Sequence, residues 1–206
     1  MLYHLFNALR EDFSWLNVFR YQTFRGMVAF LFAFLFVLIL QPIFIKWLRN
    51  RGVKGQPIRS DGPQSHISAK SGTPTMGGSV VVLGILISAL LFCDLTNLYV
   101  WLTIIVTAAY AALGFIDDWR KVTQQNSKGL SEREKMLWQF GIAGVAAIVL
   151  MIFGFNTTLE IPFMKDSGIV LGVLFIPFVM LVVVGSSNAV NLTDGLDGLA
   201  IGPVMT

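Results

Sequence analysis

The chain has 206 residues, of which 55% are hydrophobic and only 13% charged, and its mean hydropathy is +0.70. That balance excludes an ordinary soluble domain and indicates an integral membrane protein. The net charge of +3 is small and its basic residues sit in short loops, which argues against nucleic acid as a partner.

Crossing ~30 Å of hydrocarbon takes about 20 helical residues at roughly 1.5 Å each. Five stretches qualify, near Gly26–Ile45, Gly77–Phe92, Tyr99–Ile116, Met136–Phe155 and Gly168–Val184. They are continuously apolar and lack the period-two alternation of barrel strands, so the expected fold is all-α, a polytopic membrane helical bundle forming a single membrane domain over residues 1–206.

Ahead of the first span, Leu2, Leu5, Phe6, Leu9, Phe13 and Leu16 follow helical spacing and predict an amphipathic helix lying on the outer membrane surface. The first apolar run begins only after Arg25 and lacks a small-residue cleavage pattern, so it reads as a retained anchor. Pro42 predicts a kink or an end to span one. Lys46, Arg49, Arg51, Lys54, Arg59 and Lys70 lie between spans one and two, and Arg120, Lys121, Lys128, Arg133 and Lys135 between spans three and four. The opposite side holds only Arg10, Arg20, Arg25 and Lys165. The positive-inside rule therefore predicts a periplasmic N-terminus, with both basic loops and the end of span five in the cytoplasm. Cys93 is the single cysteine, which excludes an intramolecular disulfide, and no Cys and His cluster suggests zinc.

Three polar windows fall on that cytoplasmic side. In the first, Lys70, Ser71, Thr73 and Thr75 run into Gly77 and Gly78 at the start of span two, combining a cation, hydroxyls and helix N-terminal N–H groups, the requirements of a phosphate. His66, in the same loop, reads as solvated. The second is Asp117 and Asp118 at the end of span three, followed by Arg120 and Lys121. Carboxylates at such depth are costly unless paired, hydrated or used. The third follows the uncharged run 169–184: Asn188, Asn191, Asp194 and Asp197 recur every third residue, with Gly195 and Gly198 after each Asp. If the backbone stays helical, these four form a slowly drifting stripe. Beyond the second window, Asn126, Ser127 and Gly129 predict a turn; after span four, Thr157–Phe163 predicts a short strand or hairpin with Pro162 at an edge, and Pro177 a bend in span five.

Carboxylates, amides, cations and a phosphate cradle at one interface suit a reaction between a soluble phosphorylated substrate and a lipid phosphate. Such a site needs a divalent cation to offset carboxylate–phosphate repulsion, Mg²⁺ with oxygen ligands being the chemical match.

KSGTPTMGG, the DDWRK run and NAVNLTDGLDGLA together resemble the signature motifs of the phospho-N-acetylmuramoyl-pentapeptide transferases, within the larger group of polyprenyl-phosphate sugar-1-phosphate transferases. The resemblance covers nearly the whole chain, in order. It implies Mg²⁺-dependent transfer of phospho-MurNAc-pentapeptide from UDP-MurNAc-pentapeptide to undecaprenyl phosphate, giving lipid I and UMP in peptidoglycan synthesis. It also implies a homodimer in the bacterial inner membrane. By position, Asp117 and Asp118 match the catalytic aspartate pair; Lys70, Thr75, Asn191, Asp194 and Asp197 match the nucleotide and phosphate pocket, and Lys121 a basic residue at that cleft. Asn188 joins the substrate-binding set through its place on the stripe. Asp117 is the candidate for activating the acceptor and Asp118 for positioning Mg²⁺ or a lysine; direct attack and a phosphoenzyme route both stay open. The family carries a third catalytic aspartate, a Mg²⁺ ligand, and a histidine-rich motif in later loops, so these residues read as the N-terminal part of a longer enzyme. A UDP-GlcNAc transferase of the same superfamily is one alternative, disfavoured by the TPTMGG window. An ion-coupled transporter is another, disfavoured because its acids belong near mid-bilayer.

The arrangement predicts that single cysteines placed in each of the three windows react with an impermeant thiol reagent only from the cytoplasmic side of intact cells. Labelling of any one from outside overturns the shared site.

Overall fold

The computed structural model describes residues 1–51, 76–124, 129–161, 163 and 168–193. It divides into two compact units, Met1–Ser131 and Glu132–Thr206. The described residues are dominated by helices, with one two-stranded sheet.

The first unit begins with α1 (Leu2–Ala8), followed by a 3-10 helix over Ser14–Arg20. The single amphipathic helix expected here is thus broken. Two N–H groups, of Asp12 and Phe13, turn back to the Leu9 carbonyl, and the fold-back lets Phe6 meet Phe19 with ring centroids 4.6 Å apart. A straight helix would hold those residues about 20 Å apart along its axis. The start of the chain docks on the far end of a later helix: the Met1 ammonium donates to the Leu90 carbonyl at 2.6 Å, and His4 Nε2 accepts from the Leu95 N–H at 3.1 Å.

Helix α2 (Gln22–Asn50) is 29 residues long and runs through Pro42 without ending. The ring removes one backbone donor, a loss that membrane helices tolerate. Helix α3 (Gly78–Phe92) is entirely apolar or small but only 15 residues long, about 22 Å by the helical rise, so the second expected span is a short one. Its buried residues, Val80, Gly84, Ser88 and Phe92, recur every fourth position and form a narrow stripe. That stripe packs on α2. A Cβ at Gly84 would stand 3.2 Å from Phe36 and 3.3 Å from Val37 side-chain carbons, Ser88 Oγ donates to the Ala29 carbonyl at 3.1 Å, and Phe92 meets Phe32 edge-on at 5.8 Å. Small residues, close backbones and one hydroxyl bond are how helices associate where lipid removes the usual hydrophobic drive.

The turn to the next helix is held by Asp94, whose Oδ1 accepts from both Thr96 Oγ1 at 2.7 Å and Thr96 N–H at 3.0 Å. These bonds hold the Asp94 carboxyl below its usual range; their contribution is present at neutral pH and is lost in strong acid, as pH falls through the lowered value. Helix α4 (Leu98–Thr123), capped by Asn97 at its start, then runs 26 residues. It continues past the expected membrane edge at Ile116, so both aspartates of the second window are helical.

The second unit holds α5 (Glu132–Ile152), β1 (Thr158–Leu159), β2 (Ile169–Val170) and α6 (Phe175–Thr193). The strands pair antiparallel, Thr158 opposite Val170 and Leu159 opposite Ile169. The short strand expected within Thr157–Phe163 is present, but its partner lies beyond that stretch, in residues assigned to span five, and Pro162 lies outside the described residues. Gly172, at φ +51°, breaks the run, and a 3-10 turn over Gly172–Leu174 leads into α6. Pro177 therefore falls in the first turn of α6, where its missing N–H has no helical partner to lose, rather than bending a span. The helix continues through Asn188 and Asn191. Helix α5 buries Gln139, Ala143, Gly144, Ala146 and Ala147, and Gly144 faces the Met180 thioether of α6.

Four helical segments, Gln22–Asn50, Leu98–Thr123, Glu132–Ile152 and Gly172–Thr193, are long and apolar enough to cross a membrane, with Gly78–Phe92 a shorter apolar helix beside them. The chain is an all-α, multi-pass membrane protein.

Because Gly84 meets Phe36 and Val37 so closely, Gly84→Leu should destabilise the α2–α3 pair by about 1–3 kcal/mol, the range for overpacking. A lowered thermal midpoint in detergent checks this, with Gly26→Leu, where nothing lies within 4 Å of the added Cβ, as the silent control.

Candidate functional site

The second window forms a held cluster at the end of α4. Asp117 and Lys121 are one helical turn apart, and Lys121 Nζ lies 2.6 Å from Asp117 Oδ2 and 3.7 Å from Asp118 Oδ1. One ammonium thus serves two carboxylates. Acids near a helix C-terminus face the negative end of the helix dipole, whereas Arg120 and Lys121 in the last turn suit it. The unfavourable placement of the aspartates is offset locally by Lys121 and by a backbone donor: the Leu130 N–H reaches Asp117 Oδ1 at 2.7 Å.

That donor arrives because of Gly129. Its φ of +53° lies in the left-handed region, and a Cβ there would run into Asp117 Oδ1 and the Lys121 side chain. The sequence marks Gly129 only as a turn residue. Its role in seating Leu130 on the carboxylate depends on the chain doubling back over α4, which local spacing does not encode. With both oxygens of Asp117 engaged, its side chain is 14% exposed, against 32% for Asp118 and 20% for Lys121.

In the second unit, Asn188 on α6 is half-buried and Asn191, one turn on, is exposed. Asn188 Nδ2 donates to Gln139 Oε1 on α5 at 2.8 Å and to its own helix at Val184 O, also 2.8 Å. Gln139 is 2% exposed. Sequence reading passed over it, although a lone amide inside the apolar run 136–155 is the type of residue a membrane segment carries only with a partner.

Lys70, Thr75, Asp194, Asp197 and His66 lie outside the described residues. At the described end of the first window, Met76 adopts a φ of +74° and is buried, and Gly77 leaves room for the Gln41 amide, which a Cβ would approach to 2.8 Å. The Ser79 and Val80 N–H groups donate to the Met76 and Gly77 carbonyls, so these two amides at the start of α3 are engaged within the turn.

Among the described residues no group of three His, Cys, Asp or Glu side chains gathers as a metal cage. Asp117 and Asp118 nevertheless fit Mg²⁺, which uses one or two carboxylates and completes its shell with phosphate and water oxygens. Asp118 is the more open of the two and would be the ligand; at Asp117 an ion would compete with Lys121 and the Leu130 N–H.

The glycosyl transferase family 4 model matches residues 100–206. The chain is 51% identical over 205 residues to a phospho-N-acetylmuramoyl-pentapeptide-transferase of Citrifermentans bemidjiense, covering 99% of this chain and 57% of that protein. It is 49% identical over 205 residues to the protein of the same name from Pelobacter propionicus, again 99% and 57%, and 47% identical over 213 residues to that of Maricaulis maris, 100% and 58%. The chain therefore spans somewhat more than half the length of these curated relatives. With the family match running from the early part of α4 through the Asp117 cluster to the last residue given, the chain belongs to glycosyl transferase family 4.

Proposed function

We propose that this chain carries part of the active site of a phospho-N-acetylmuramoyl-pentapeptide transferase. The enzyme moves phospho-MurNAc-pentapeptide from UDP-MurNAc-pentapeptide to undecaprenyl phosphate, with lipid I and UMP as products. The observation that carries the reading is the Asp117, Asp118 and Lys121 cluster, built into the end of an apolar helix of membrane-crossing length. Family membership and the names of relatives at about half identity support the chemistry.

A phosphate oxygen of the lipid acceptor attacks the sugar-linked phosphorus of the nucleotide sugar. A new P–O bond forms, the bond to the UMP phosphate breaks, and UMP leaves with the electron pair. Mg²⁺ held by Asp118 would supply positive charge to the phosphate oxygens during transfer. Lys121 supplies a second positive charge, and Asp117 sets its starting position by gripping the ammonium. For Asp117 to act on the acceptor directly, Lys121 must first move onto a phosphate, so arrival of substrate charge is what frees the carboxylate. Asn188, Asn191, Lys70, Thr75, Asp194 and Asp197 form the rest of the substrate pocket in this reading. The active face is cytoplasmic in the bacterial inner membrane, where the soluble donor is found, and the enzyme is a homodimer.

Asp117→Asn should lower turnover by about 10²- to 10⁴-fold, the usual range for a group handling a proton, with KM for the nucleotide sugar little changed. The readout is UMP release with both substrates, and unchanged turnover removes Asp117 from the mechanism. Gly129→Ala, which touches no substrate in this reading, should lower turnover by about tenfold, corresponding to roughly 1.4 kcal/mol, because its Cβ displaces the carboxylate or the Leu130 N–H. A rate within twofold of the parent would show that the loop does not hold Asp117.

A further inference from the structure

The amide of Asn188 is oriented by its surroundings. A backbone carbonyl accepts and never donates, so the atom facing Val184 O must be the amide nitrogen, and the flipped assignment would set two oxygens against each other. The same nitrogen donates to Gln139 Oε1. Its two hydrogens serve these two oxygens, with the Met136 thioether a longer contact at 3.8 Å, and Asn188 Oδ1 is the atom turned away from them. Gln139 is sealed into the packing face of α5, in register with Ala143 and Ala147, which are fully buried. Its place in the helix packing therefore fixes where its oxygen stands.

We propose that Gln139 is a positioning residue: by accepting from Asn188 it locks that amide with the carbonyl oxygen outward, so the substrate pocket presents an acceptor at this point. This rests on the reading that Asn188 belongs to the pocket. The ligand group taken there is then a hydroxyl or N–H donor of the nucleotide sugar, and not a phosphate oxygen, which an acceptor repels. Truncating the Gln139 side chain's polar end leaves the amide held by Val184 O and by the weaker contact to the Met136 thioether at 3.8 Å, so that it is more free to swing.

The test uses the protein as encoded, purified in detergent, with UDP-MurNAc-pentapeptide and undecaprenyl phosphate as substrates. Gln139→Met keeps the volume and removes the acceptor. It should raise KM for the nucleotide sugar roughly 3- to 10-fold, the worth of one hydrogen bond, and leave KM for the lipid phosphate unchanged. In an Asn188→Ala background the same change should add less than twofold, because the effect of Gln139 on this KM runs through Asn188. A KM rise shared by both substrates, a full multiplicative effect in the Asn188→Ala background, or no effect of Gln139→Met alone would each overturn the proposal and leave the pair as packing. If Asn188→Ala by itself leaves KM for the nucleotide sugar unchanged, it is the placement of Asn188 in the pocket that fails. Inhibition by UMP locates the donor: a matching loss of UMP affinity in Gln139→Met puts it on the uridine half, and unchanged UMP affinity puts it on the sugar or peptide.

Discussion

Everything at the candidate site turns on one ammonium shared between two adjacent carboxylates. Asp117 and Asp118 sit near the C-terminal end of a helix whose apolar body crosses the bilayer, where neither the dipole nor the low-dielectric surroundings favour negative charge. Lys121, one turn on, is the local answer, and its two distances of 2.6 and 3.7 Å show that the two acids are not equivalent. Asp117 is gripped on both oxygens, by Lys121 and by the Leu130 N–H, while Asp118 keeps the longer contact and the greater exposure. Neighbours on a helix point about 100° apart, so this asymmetry is built into the spacing, and the loop that ends in Gly129 and Leu130 reinforces it.

The scaffolds behind the polar groups use a common device. In the first unit Gly84 and Ser88 let α3 lie close on α2, and in the second Ala143, Gly144 and Ala147 do the same for α5 against α6. Lipid tails are as apolar as leucine, so burying large side chains between helices gains little in a membrane, and close packing with a few hydrogen bonds must hold the fold. The consequence is visible in what remains outside: Phe30, Phe34, Leu38 and Ile39 of α2 stay exposed, as expected of a lipid-facing surface. It also explains why the few polar contacts between helices, Ser88 to Ala29 and Asn188 to Gln139, join positions on opposite sides of close crossings.

Much of this was legible in the residues. Long apolar runs announce membrane helices whatever their neighbours do, and the paired aspartates announce themselves by being charged where charge is costly. What was illegible depends on contacts between segments distant in sequence. The N-terminal hydrophobic spacing is helical, yet the chain folds back there and Phe6 packs on Phe19, a contact distant in sequence that the spacing does not encode. Ile169 and Val170 are as apolar as a span requires, but a strand partner at Thr158–Leu159 and the left-handed Gly172 claim them first. Gly129 looked like any turn glycine, because nothing local says that its missing side chain is needed by Asp117. Gln139 is hidden for the opposite reason: it stands among apolar neighbours, and only its amide is out of place in that run.

The helical course of α6 through Asn191 constrains how the third window can work. Residues three apart on an α-helix differ by about 300° of rotation, or roughly 60° backwards per step. Asn188 points toward α5 and is half-buried; Asn191, about 60° round, is exposed, as that rotation requires. Of the stripe's described members, then, one is held against the neighbouring helix and the next is open, so the two meet different surroundings although both lie on α6.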